Sequence, residues 1–308
     1  MIGPACFLCG RRDRRELPDE TEAVATPAGH EVTRCGGCGL VALQPPFSDG
    51  EKAAIYAPGY YEAYAAAGGM AGGTVGMAPH LAGRLARAGR LAGRGRMLDV
   101  GCGQGFLLAY AESAGWQADG IEASPAAAAA QRRIARGRVF HGPVEAAPFD
   151  PGSYRFVHLN HVLEHLDDPL GALRLALEWL APGGVLVVEV PNEFATLYFR
   201  VGQAFLPMSL RRNPVPTSHQ WFFDPRTLRA VAEKAGVRID RLGTVRHAIG
   251  LRDRSWAMRW AKRLVYLCER PLQMAGMIEL WGGQGPRGAA EPWPVRGTNA
   301  ARGADPHS

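Results

Sequence analysis

Five consecutive residues, 161–165 (HVLEH), combine side chains that can transfer protons or bind metal ions. His161, Glu164 and His165 stand three and four residues apart, so a helical turn would place them on one side. A histidine with an ordinary pKa of about 6.5 can accept a proton from a hydroxyl or an activated carbon at pH 7. Three interpretations stay open: acid–base catalysis by His161 or His165, metal binding, and hydrogen bonds that support a turn after a strand.

Four of the six cysteines form the second group of reactive side chains. Cys6 and Cys9 form one C-x-x-C pair, and Cys35 and Cys38 form another after a gap of 25 residues. Two such pairs supply the tetrahedral thiolate shell of a closed, structural zinc site. Paired cysteines are more often metal ligands than disulfides in a reducing compartment. The spacing therefore predicts a zinc ribbon whose folding energy comes largely from the metal.

The segments that must position residues 161–165 alternate short apolar runs with helical patterns from Arg96 onward. This alternation predicts an α/β fold with a doubly wound, mostly parallel sheet. We expect one helix to start at Ser124-Pro125 and stop at Gly137, and another to run from Asp168-Pro169 to Gly183-Gly184. In such sheets the ligand crevice lies at the carboxyl ends of the strands.

A glycine loop, LDVGCGQGF, follows the first strand of this pattern. Gly101 and Gly103 allow a sharp turn and close approach of a ligand to the backbone. The spacing differs from that of dinucleotide sites, and Asp99 before the loop suits a cationic amino group better than a pyrophosphate. Glu122, at the end of the second strand, can accept hydrogen bonds from ribose hydroxyls. The predicted ligand is a nucleoside that carries a positively charged amino-acid portion.

The segments LDVGCGQG, GIEAS, HVLEHL and LAPGGVLVVEVPN together resemble successive motifs of class I S-adenosylmethionine-dependent methyltransferases, in particular the ubiquinone-biosynthesis O-methyltransferase branch. The N-terminal cysteine pattern resembles the zinc ribbon that precedes some bacterial members. The resemblance implies S-adenosyl-L-methionine as cofactor and a structural zinc. It also implies these cofactor contacts: Asp99, Gly101 and Gly103 at the methionine side, Glu122 at the ribose, Val144 and Glu145 beside the adenine, and Asn160 at the methionine portion.

The same resemblance bears on the HVLEH segment. Some related RNA methyltransferases bind a divalent metal through E-x-x-E-H and a distant histidine. The corresponding ligands here would be His161, Glu164, His165 and His219. His161 replaces a glutamate, which favours zinc, manganese or iron over magnesium. Many other relatives carry E-H-L at this place without a metal, so the three interpretations of the segment remain open.

The pattern along the chain predicts a zinc ribbon over residues 1–45, a linker and helical lid over 46–90, a methyltransferase domain over 91–281 and a disordered tail over 282–308. Tyr56 and nearby tyrosines in the linker could form the lid or pack in a helix. The leucines and arginines of residues 77–91 predict an amphipathic helix.

Charge and hydropathy restrict the setting. The 308 residues carry a formal net charge of +6, but the arginines are scattered, which indicates solvated faces rather than a nucleic-acid surface. No apolar run is long enough to span a bilayer, so we expect a cytoplasmic protein. Residues 252–281 set tryptophans and a leucine beside basic residues, as in a helix on the inner face of a membrane; packing against the sheet is the alternative.

Three classes of function compete. A methyltransferase acting on a small-molecule, sugar or lipid-linked acceptor accounts for the largest number of motifs, with O-methylation favoured over C-methylation. A nucleic-acid methyltransferase would need clustered arginines with exposed aromatic side chains, which the sequence lacks. A non-catalytic zinc scaffold would not need Asp99, the glycine loop and Glu122. Identity of the acceptor and oligomeric state do not follow from the sequence.

Overall fold

The computed structural model describes residues 5–17, 29–57, 78–197, 200, 218–246, 268–269 and 271–285. The N-terminal part contains three antiparallel strands: β1 (Arg14–Glu16), β2 (Glu31–Cys35) and β3 (Val41–Gln44). Helix α1 (Asp49–Ile55) follows. It begins at a capping box, in which the Ser48 hydroxyl accepts from the Glu51 amide and the Glu51 side chain accepts from the Ser48 amide.

A seven-stranded sheet forms the centre of the molecule, in the order β10-β11-β8-β7-β4-β5-β6. Its strands are β4 (Arg96–Val100), β5 (Gln117–Glu122), β6 (Val139–His141), β7 (Tyr154–Asn160), β8 (Leu180–Pro191), β10 (Arg238–Val245) and β11 (Met277–Gly283). Strands β4 to β8 pair in parallel, and β11 pairs antiparallel with β8 and β10. This mostly parallel α/β sheet confirms the predicted fold class.

Helices cover both faces of the sheet, which explains why the central strands are apolar along most of their length. The helices are α2 (Pro79–Ala92), α3 (Phe106–Ser113), α4 (Ala127–Arg133), α5 (Pro169–Trp179) and α6 (Pro225–Ala235). One core lies between the sheet and α2, α3 and α4, and it includes the buried residues Leu85, Leu108 and Ala130. The other lies between the sheet and α5 and α6, with Leu173 and Leu228 in it.

Both boundaries of helix α4 differ from the predicted ones. Helix α4 begins at Ala127 rather than Pro125, because the Ser124 hydroxyl accepts from the Ala126 amide in a turn before the helix. Gly137 does not stop this helix. A Cβ atom there would lie 1.8 Å from the Ala118 carbonyl oxygen, so the glycine permits close approach to β5.

Helix α5 begins as predicted, with Asp168 as cap and Pro169 at its first position. It ends at Trp179, four residues before the predicted Gly183-Gly184 stop. Leu180 already pairs with Tyr154 in the sheet, so the segment 180–184 belongs to an early, irregular part of β8. Helix α2 agrees with the predicted amphipathic helix to within two residues at its start.

A short strand, β9 (Trp221–Phe222), pairs with β3 and so adds a segment from the second half of the chain to the N-terminal sheet. The N-terminal sheet therefore has the order β1-β2-β3-β9, and its last strand belongs to the segment just before α6. None of the helices within the described ranges has the length and apolar character needed to cross a lipid bilayer. Gly282 and Gly283, the first residues of the predicted tail, end strand β11. Residues 286–308, the tyrosines after residue 57 and most of 252–281 lie outside the described residues.

Candidate functional site

The glycine loop lies where the direction of strand addition reverses. The chain runs from β4 to β5 and β6 on one side, and then returns to place β7 on the other side of β4. A crevice at the carboxyl ends of β4 and β7 is the expected ligand site of such a sheet. Gly101, Gly103 and Gly105 have φ values of 70°, 53° and 79°, which favour glycine.

A side chain at position 101 would also collide with a neighbouring residue. A Cβ atom there would lie 2.4 Å from the Cγ2 atom of Val162, the second residue of HVLEH. The glycine loop and the HVLEH turn are thus in direct contact, although about 60 residues separate them. The backbone amides of Gly101 and Cys102 both donate to the Ile121 carbonyl, which holds the loop on β5.

The two acidic residues predicted to bind the cofactor lie beside this loop. Glu122 is buried and accepts hydrogen bonds from the Gly103 amide at 2.7 Å and the Ser124 amide at 2.9 Å. Asp99 is also buried, and its Oδ1 atom lies 2.8 Å from His158 Nδ1. Both carboxylates are close to the glycine loop, as the sequence predicted. Their contact with a cofactor remains a prediction.

The other predicted cofactor residues occupy two different places. Val144 is buried and Glu145 exposed in a single 3₁₀ turn (Val144–Ala146) after β6. Asn160 ends β7, and its Oδ1 atom accepts a hydrogen bond of 2.7 Å from Arg84. Glycines with positive φ, buried acids and an amide at the strand ends form a donor and acceptor set that fits a nucleoside with an amino-acid portion.

A buried ionic cluster beside Asn160 was missed by sequence reasoning. Arg84 of α2 is buried, donates through Nε to Glu279 at 2.8 Å and forms an ion pair with Glu189. The prediction that the arginines lie on solvated faces is therefore wrong for Arg84. Glu189 and Glu279 interrupt apolar strands, VLVVEV and MIELW. A charge within such a strand needs a buried partner, and that signal could have revealed the cluster.

The HVLEH segment turns sharply at the end of β7. His161 has a φ of 55°, which is unusual for a residue with a side chain. Its amide donates to the Glu189 carbonyl at 3.0 Å, which holds the turn on β8. Residues Leu163–His165 then form one 3₁₀ turn. Strain of this kind is concentrated at functional sites and requires support from the surrounding structure.

The two histidines of the segment have pKa values that differ in opposite directions from the ordinary one. Burial alone would lower the pKa of His161, but the Glu164 and Glu189 carboxylates outweigh it and raise the pKa to about 10. Burial lowers the pKa of His165 to about 4, against the attraction of Glu164. At neutral pH His161 is a cation and His165 is neutral. The ordinary pKa assumed for acid–base catalysis therefore applies to neither, and their catalytic roles remain predictions.

Glu164, His165 and His219 form a compact group whose ligand atoms all lie within 4.8 Å of one another. Glu164 is completely buried, and neither of its carboxylate oxygens receives a hydrogen bond within the described part of the chain. His165 Nδ1 lies 2.8 Å from the Ser218 carbonyl oxygen and 2.9 Å from the Tyr56 hydroxyl. His219 Nδ1 lies 2.5 Å from Glu193 Oε1.

These partners leave the Nε2 atoms of both histidines available toward Glu164. Histidine metal ligands commonly donate their second N–H to a carboxylate or a carbonyl, as Glu193 and Ser218 allow here. His161 also contacts Glu164, with Nδ1 3.4 Å from Oε1, but it is not one of the three residues whose ligand atoms all lie within 4.8 Å of one another. The structure thus brings together three of the four predicted ligands of a second metal. No sequence signal pointed to Glu193.

The four predicted zinc ligands meet at one place in the N-terminal sheet. Cys6 Sγ lies 3.7 Å from Cys38 Sγ, and Cys9 Sγ lies 3.5 Å from Cys35 Sγ. The edge of a tetrahedron with Zn–S bonds of about 2.3 Å is roughly 3.8 Å long, so the cluster is compatible with zinc. Cys6 and Cys35 are buried and Cys9 is exposed.

The comparisons with known proteins agree with this geometry. Residues 77–242 match a family model described as "Methyltransferase domain". The chain belongs to the methyltransferase domain family. This membership confirms the family predicted from the sequence motifs, and it accounts for the position of the glycine loop in the sheet.

Curated relatives of this methyltransferase domain include two named "Ubiquinone biosynthesis O-methyltransferase". The protein from Bordetella bronchiseptica is 34% identical over 166 residues, which cover 49% of this chain and 64% of the relative. The protein from Xanthomonas euvesicatoria is 29% identical over 158 residues, which cover 47% and 63%. The chain thus spans less than two thirds of the length of these relatives.

Two solved structures share the fold of the methyltransferase domain. One is a complex between the Haloferax volcanii Trm112 methyltransferase activator and a methyltransferase. The match has a TM-score of 0.50 and 16% sequence identity, and it covers 68% of this chain and 90% of that chain. The other is Haemonchus contortus phosphoethanolamine N-methyltransferase 2 with S-adenosyl-L-methionine; it has a TM-score of 0.53, 17% identity, and covers 79% and 62%. At these identities the likeness concerns the fold alone.

Proposed function

We propose that this protein transfers a methyl group from S-adenosylmethionine to a hydroxyl oxygen of a small-molecule, sugar or lipid-linked acceptor. The observation that carries the proposal is the direct packing of the glycine loop against the HVLEH turn through Gly101 and Val162. In our proposal, the loop that would bind the nucleoside thus packs against the turn that carries two histidines of opposite pKa shift. The relatives named as O-methyltransferases support oxygen as the methylated atom.

In this proposal the cofactor's methionine portion lies near Asp99, Gly101, Gly103 and Asn160, its ribose near Glu122, and its adenine near Val144 and Glu145. When bound, the cofactor supplies an electrophilic methyl group, and the protein contributes orientation and electrostatics. Glu122 is well suited to ribose hydroxyls because two backbone amides already fix its carboxylate. Asp99 offers a negative charge to the cofactor's amino group.

His161 and His165 would have different roles toward the acceptor. The His161 imidazolium, about one third exposed, can stabilise negative charge that develops on the acceptor oxygen. His165 is neutral at pH 7, and a proton on Nδ1 shared with the Ser218 carbonyl leaves Nε2 as acceptor. A base of such low pKa suits a hydroxyl that ionises readily. The arrangement therefore favours an acidic hydroxyl, such as a phenol, over an ordinary alcohol.

Calorimetric titration with S-adenosylmethionine tests the cofactor site. We expect micromolar affinity for the unmodified protein and a loss of about ten- to a hundredfold in Glu122→Ala and Asp99→Ala, because each removes a hydrogen bond to a charged or polar ligand group. Glu178→Ala, on an exposed site of α5, is the matched control. Full affinity in both acid variants would overturn the site assignment, and no heat with the unmodified protein would overturn the function.

The N-terminal cysteines are proposed to hold a structural zinc. Support comes from the sulfur distances and from the burial of two of the four cysteines. Zinc quantitation should give one equivalent per chain for this site. Folded protein that contains no zinc, and whose four cysteines all react with thiol reagents, would contradict this proposal.

A second divalent metal, zinc, manganese or iron, is proposed at Glu164, His165 and His219 as the alternative to the acid–base role of His165, because the Nε2 atom of His165 cannot serve both. The specific support is the buried Glu164 carboxylate, whose two oxygens receive no hydrogen bond within the described residues. The contact of this buried carboxylate with the His161 imidazolium, at 3.4 Å, is long, and a bound cation would compensate more fully for the burial of the charge. A metal there would also lower the pKa of a coordinated acceptor hydroxyl.

Metal quantitation separates the two sites. After loading with cobalt and removal of excess metal, the unmodified protein should hold two equivalents per chain, whereas Glu164→Gln and His219→Asn should hold one. His141→Asn changes an exposed histidine on β6 and serves as the control. One equivalent in every variant, including the unmodified protein, would exclude the second site and leave the cysteine site intact.

The class of molecule that accepts the methyl group is also part of this proposal. A nucleic-acid acceptor and a non-catalytic scaffold remain the competing functions. Incubation with S-adenosylmethionine and panels of phenolic, sugar and lipid-linked alcohols, followed by mass spectrometry of the products, would identify the acceptor class. Methylation confined to RNA or DNA would contradict the proposal. A cytoplasmic location with peripheral membrane contact through residues 252–281 also stays a proposal.

A further inference from the structure

The HVLEH turn is held by hydrogen bonds to three consecutive carbonyl groups. The Glu164 carbonyl accepts from the Gln220 amide at 2.9 Å, and the His165 carbonyl accepts from the Gln220 side chain at 2.8 Å. The Leu166 carbonyl accepts from the Trp221 indole at 2.7 Å. Gln220 and Trp221 are both buried. Two adjacent residues therefore fix the backbone from which Glu164 and His165 project.

The same two residues are held by the N-terminal part of the chain. The Gln220 carbonyl accepts from the Leu43 amide at 2.9 Å, and its side-chain oxygen accepts from the Phe47 amide at 3.1 Å. Trp221 pairs with Ala42 in the sheet. The Gln220 side chain also donates to Asp167 Oδ1 at 3.2 Å, so every hydrogen-bonding group of Gln220 is used, either toward residues 164–167 or toward residues 43–47.

The contact continues to the cysteine cluster itself. The Trp221 ring meets Phe7 edge to face, with centroids 4.8 Å apart, and Phe7 lies between Cys6 and Cys9 in the sequence. Lys234 of α6 donates to the carbonyls of Phe7 and Leu8, each at 2.8 Å. The backbone that must fold around the metal is therefore the same backbone that packs on Trp221.

We infer that Gln220 and Trp221 are positioning residues, through which the metal-loaded cysteine cluster fixes the geometry of the HVLEH turn. This inference rests on the proposed function for its catalytic meaning. It assigns the cysteine cluster a task beyond folding its own segment. Loss of the metal would release β3 and Phe7, which hold Gln220 and Trp221 in place. The hydrogen bonds from these two residues to the carbonyls of residues 164–166 would then weaken.

Hydrogen exchange measured by mass spectrometry tests this coupling without any substrate. Cys9→Ser removes one thiolate of the N-terminal cluster and leaves Glu164, His165 and His219 unchanged, which a chelator would not. We expect zinc loss together with exchange in residues 161–167 that is faster by about tenfold or more. Exchange in β4 and β5 should stay unchanged. Faster exchange confined to residues 29–47 would overturn the inference.

A second variant removes the side-chain hydrogen bonds of Gln220 and leaves the zinc ligands intact. Gln220→Met keeps the length of the side chain and removes its three hydrogen bonds, so exchange in residues 161–167 should rise while zinc stays bound. Gln131→Met is the matched control, because Gln131 also bridges backbone groups, Gly137 and Val139, but lies far from the turn. Unchanged exchange in Gln220→Met would contradict the positioning role.

A spectroscopic signature distinguishes positioning from general destabilisation. The Trp221 indole N–H donates to Leu166, so its proton resonance should shift upfield in both Cys9→Ser and Gln220→Met, and not in Gln131→Met. An unshifted indole signal in the zinc-free variant would overturn the coupling. Calorimetry with S-adenosylmethionine on the unmodified protein judges the proposed function separately, since the exchange and resonance measurements need no cofactor.

Discussion

Two buried polar clusters lie on either side of the HVLEH turn, and they differ in how their charges are matched. In the first, Arg84 lies between the Glu189 and Glu279 carboxylates and also donates to Asn160. In the second, Glu164 faces histidines but receives no hydrogen bond within the described residues. A matched cluster supports the fold. A buried carboxylate whose contacts with histidines, 3.4 Å to His161 and 3.8 Å to His165, are longer than ordinary hydrogen bonds can accept a further ligand.

The largest expected effect concerns the matched cluster. Arg84→Met leaves two buried carboxylates facing each other, and we expect the free energy of unfolding to fall by about 3–5 kcal/mol in urea denaturation. Arg90→Met, two turns further along the exposed side of α2, should change it by less than about 0.5 kcal/mol. Equal effects of the two substitutions would show that Arg84 contributes no more than a surface residue.

The next prediction compares one glutamate from each cluster in protein that carries zinc only at the cysteines. Glu189→Gln should lower the free energy of unfolding by about 3 kcal/mol, because Arg84 loses one of its counter-charges. Glu164→Gln should cost less, about 1–2 kcal/mol, since it loses the longer contact with the His161 imidazolium but no short hydrogen bond. Added cobalt should then stabilise the unmodified protein and not Glu164→Gln. The reverse order of the two costs would contradict the distinction between the clusters.

A smaller effect is expected where the glycine loop touches the turn. Gly101→Ala and Gly93→Ala both place a side chain at a φ between 70° and 75°. Only at Gly101 would the new Cβ atom collide with a neighbour, Val162. We expect Gly101→Ala to cost about 1–3 kcal/mol more than Gly93→Ala in thermal or urea unfolding. Equal costs would mean that the loop and the turn relax apart easily.

The smallest effect concerns a histidine–glutamate pair, His30 and Glu51, in the N-terminal part. His30 contacts the Pro45 carbonyl and the Glu51 carboxylate at 2.7 Å each. Burial alone would lower the pKa of His30, but these two acceptors raise it. The associated stability is complete below a pH of about 6.5 and is lost as pH rises through the higher pKa of the folded state. His30→Gln should remove this part of the pH dependence of the melting temperature, with little change elsewhere.

The sequence predicted the features that depend on local order. The alternation of strands and helices, the glycine loop after β4 and the spacing of Cys6, Cys9, Cys35 and Cys38 all follow from residues close together in the chain. The acidic residues Asp99 and Glu122 were likewise placed beside the loop. Their roles were inferred from their positions near the ends of two strands, and those ends could be predicted from the pattern of apolar residues.

Features that depend on distant partners could not be predicted. The pairing of β3 with β9 joins residues 41–42 to 221–222, and a strand of two residues has no periodicity to detect. Arg84 could not be distinguished in the sequence from the other arginines of α2, because its two carboxylate partners lie more than 100 residues away in the chain. The opposite pKa shifts of His161 and His165 arise from burial, from Glu164 and, for His161, from Glu189; of these the HVLEH pattern contains only Glu164.

The place of β11 in the sheet bears on how this protein can be shortened. The family match ends at residue 242, within β10, yet β11 at residues 277–283 lies between β8 and β10. A chain trimmed to the matched residues would therefore expose the backbone of β8 along an apolar edge. Such an edge promotes self-association through new strand pairing, so trimmed variants should aggregate unless residues 277–283 are retained.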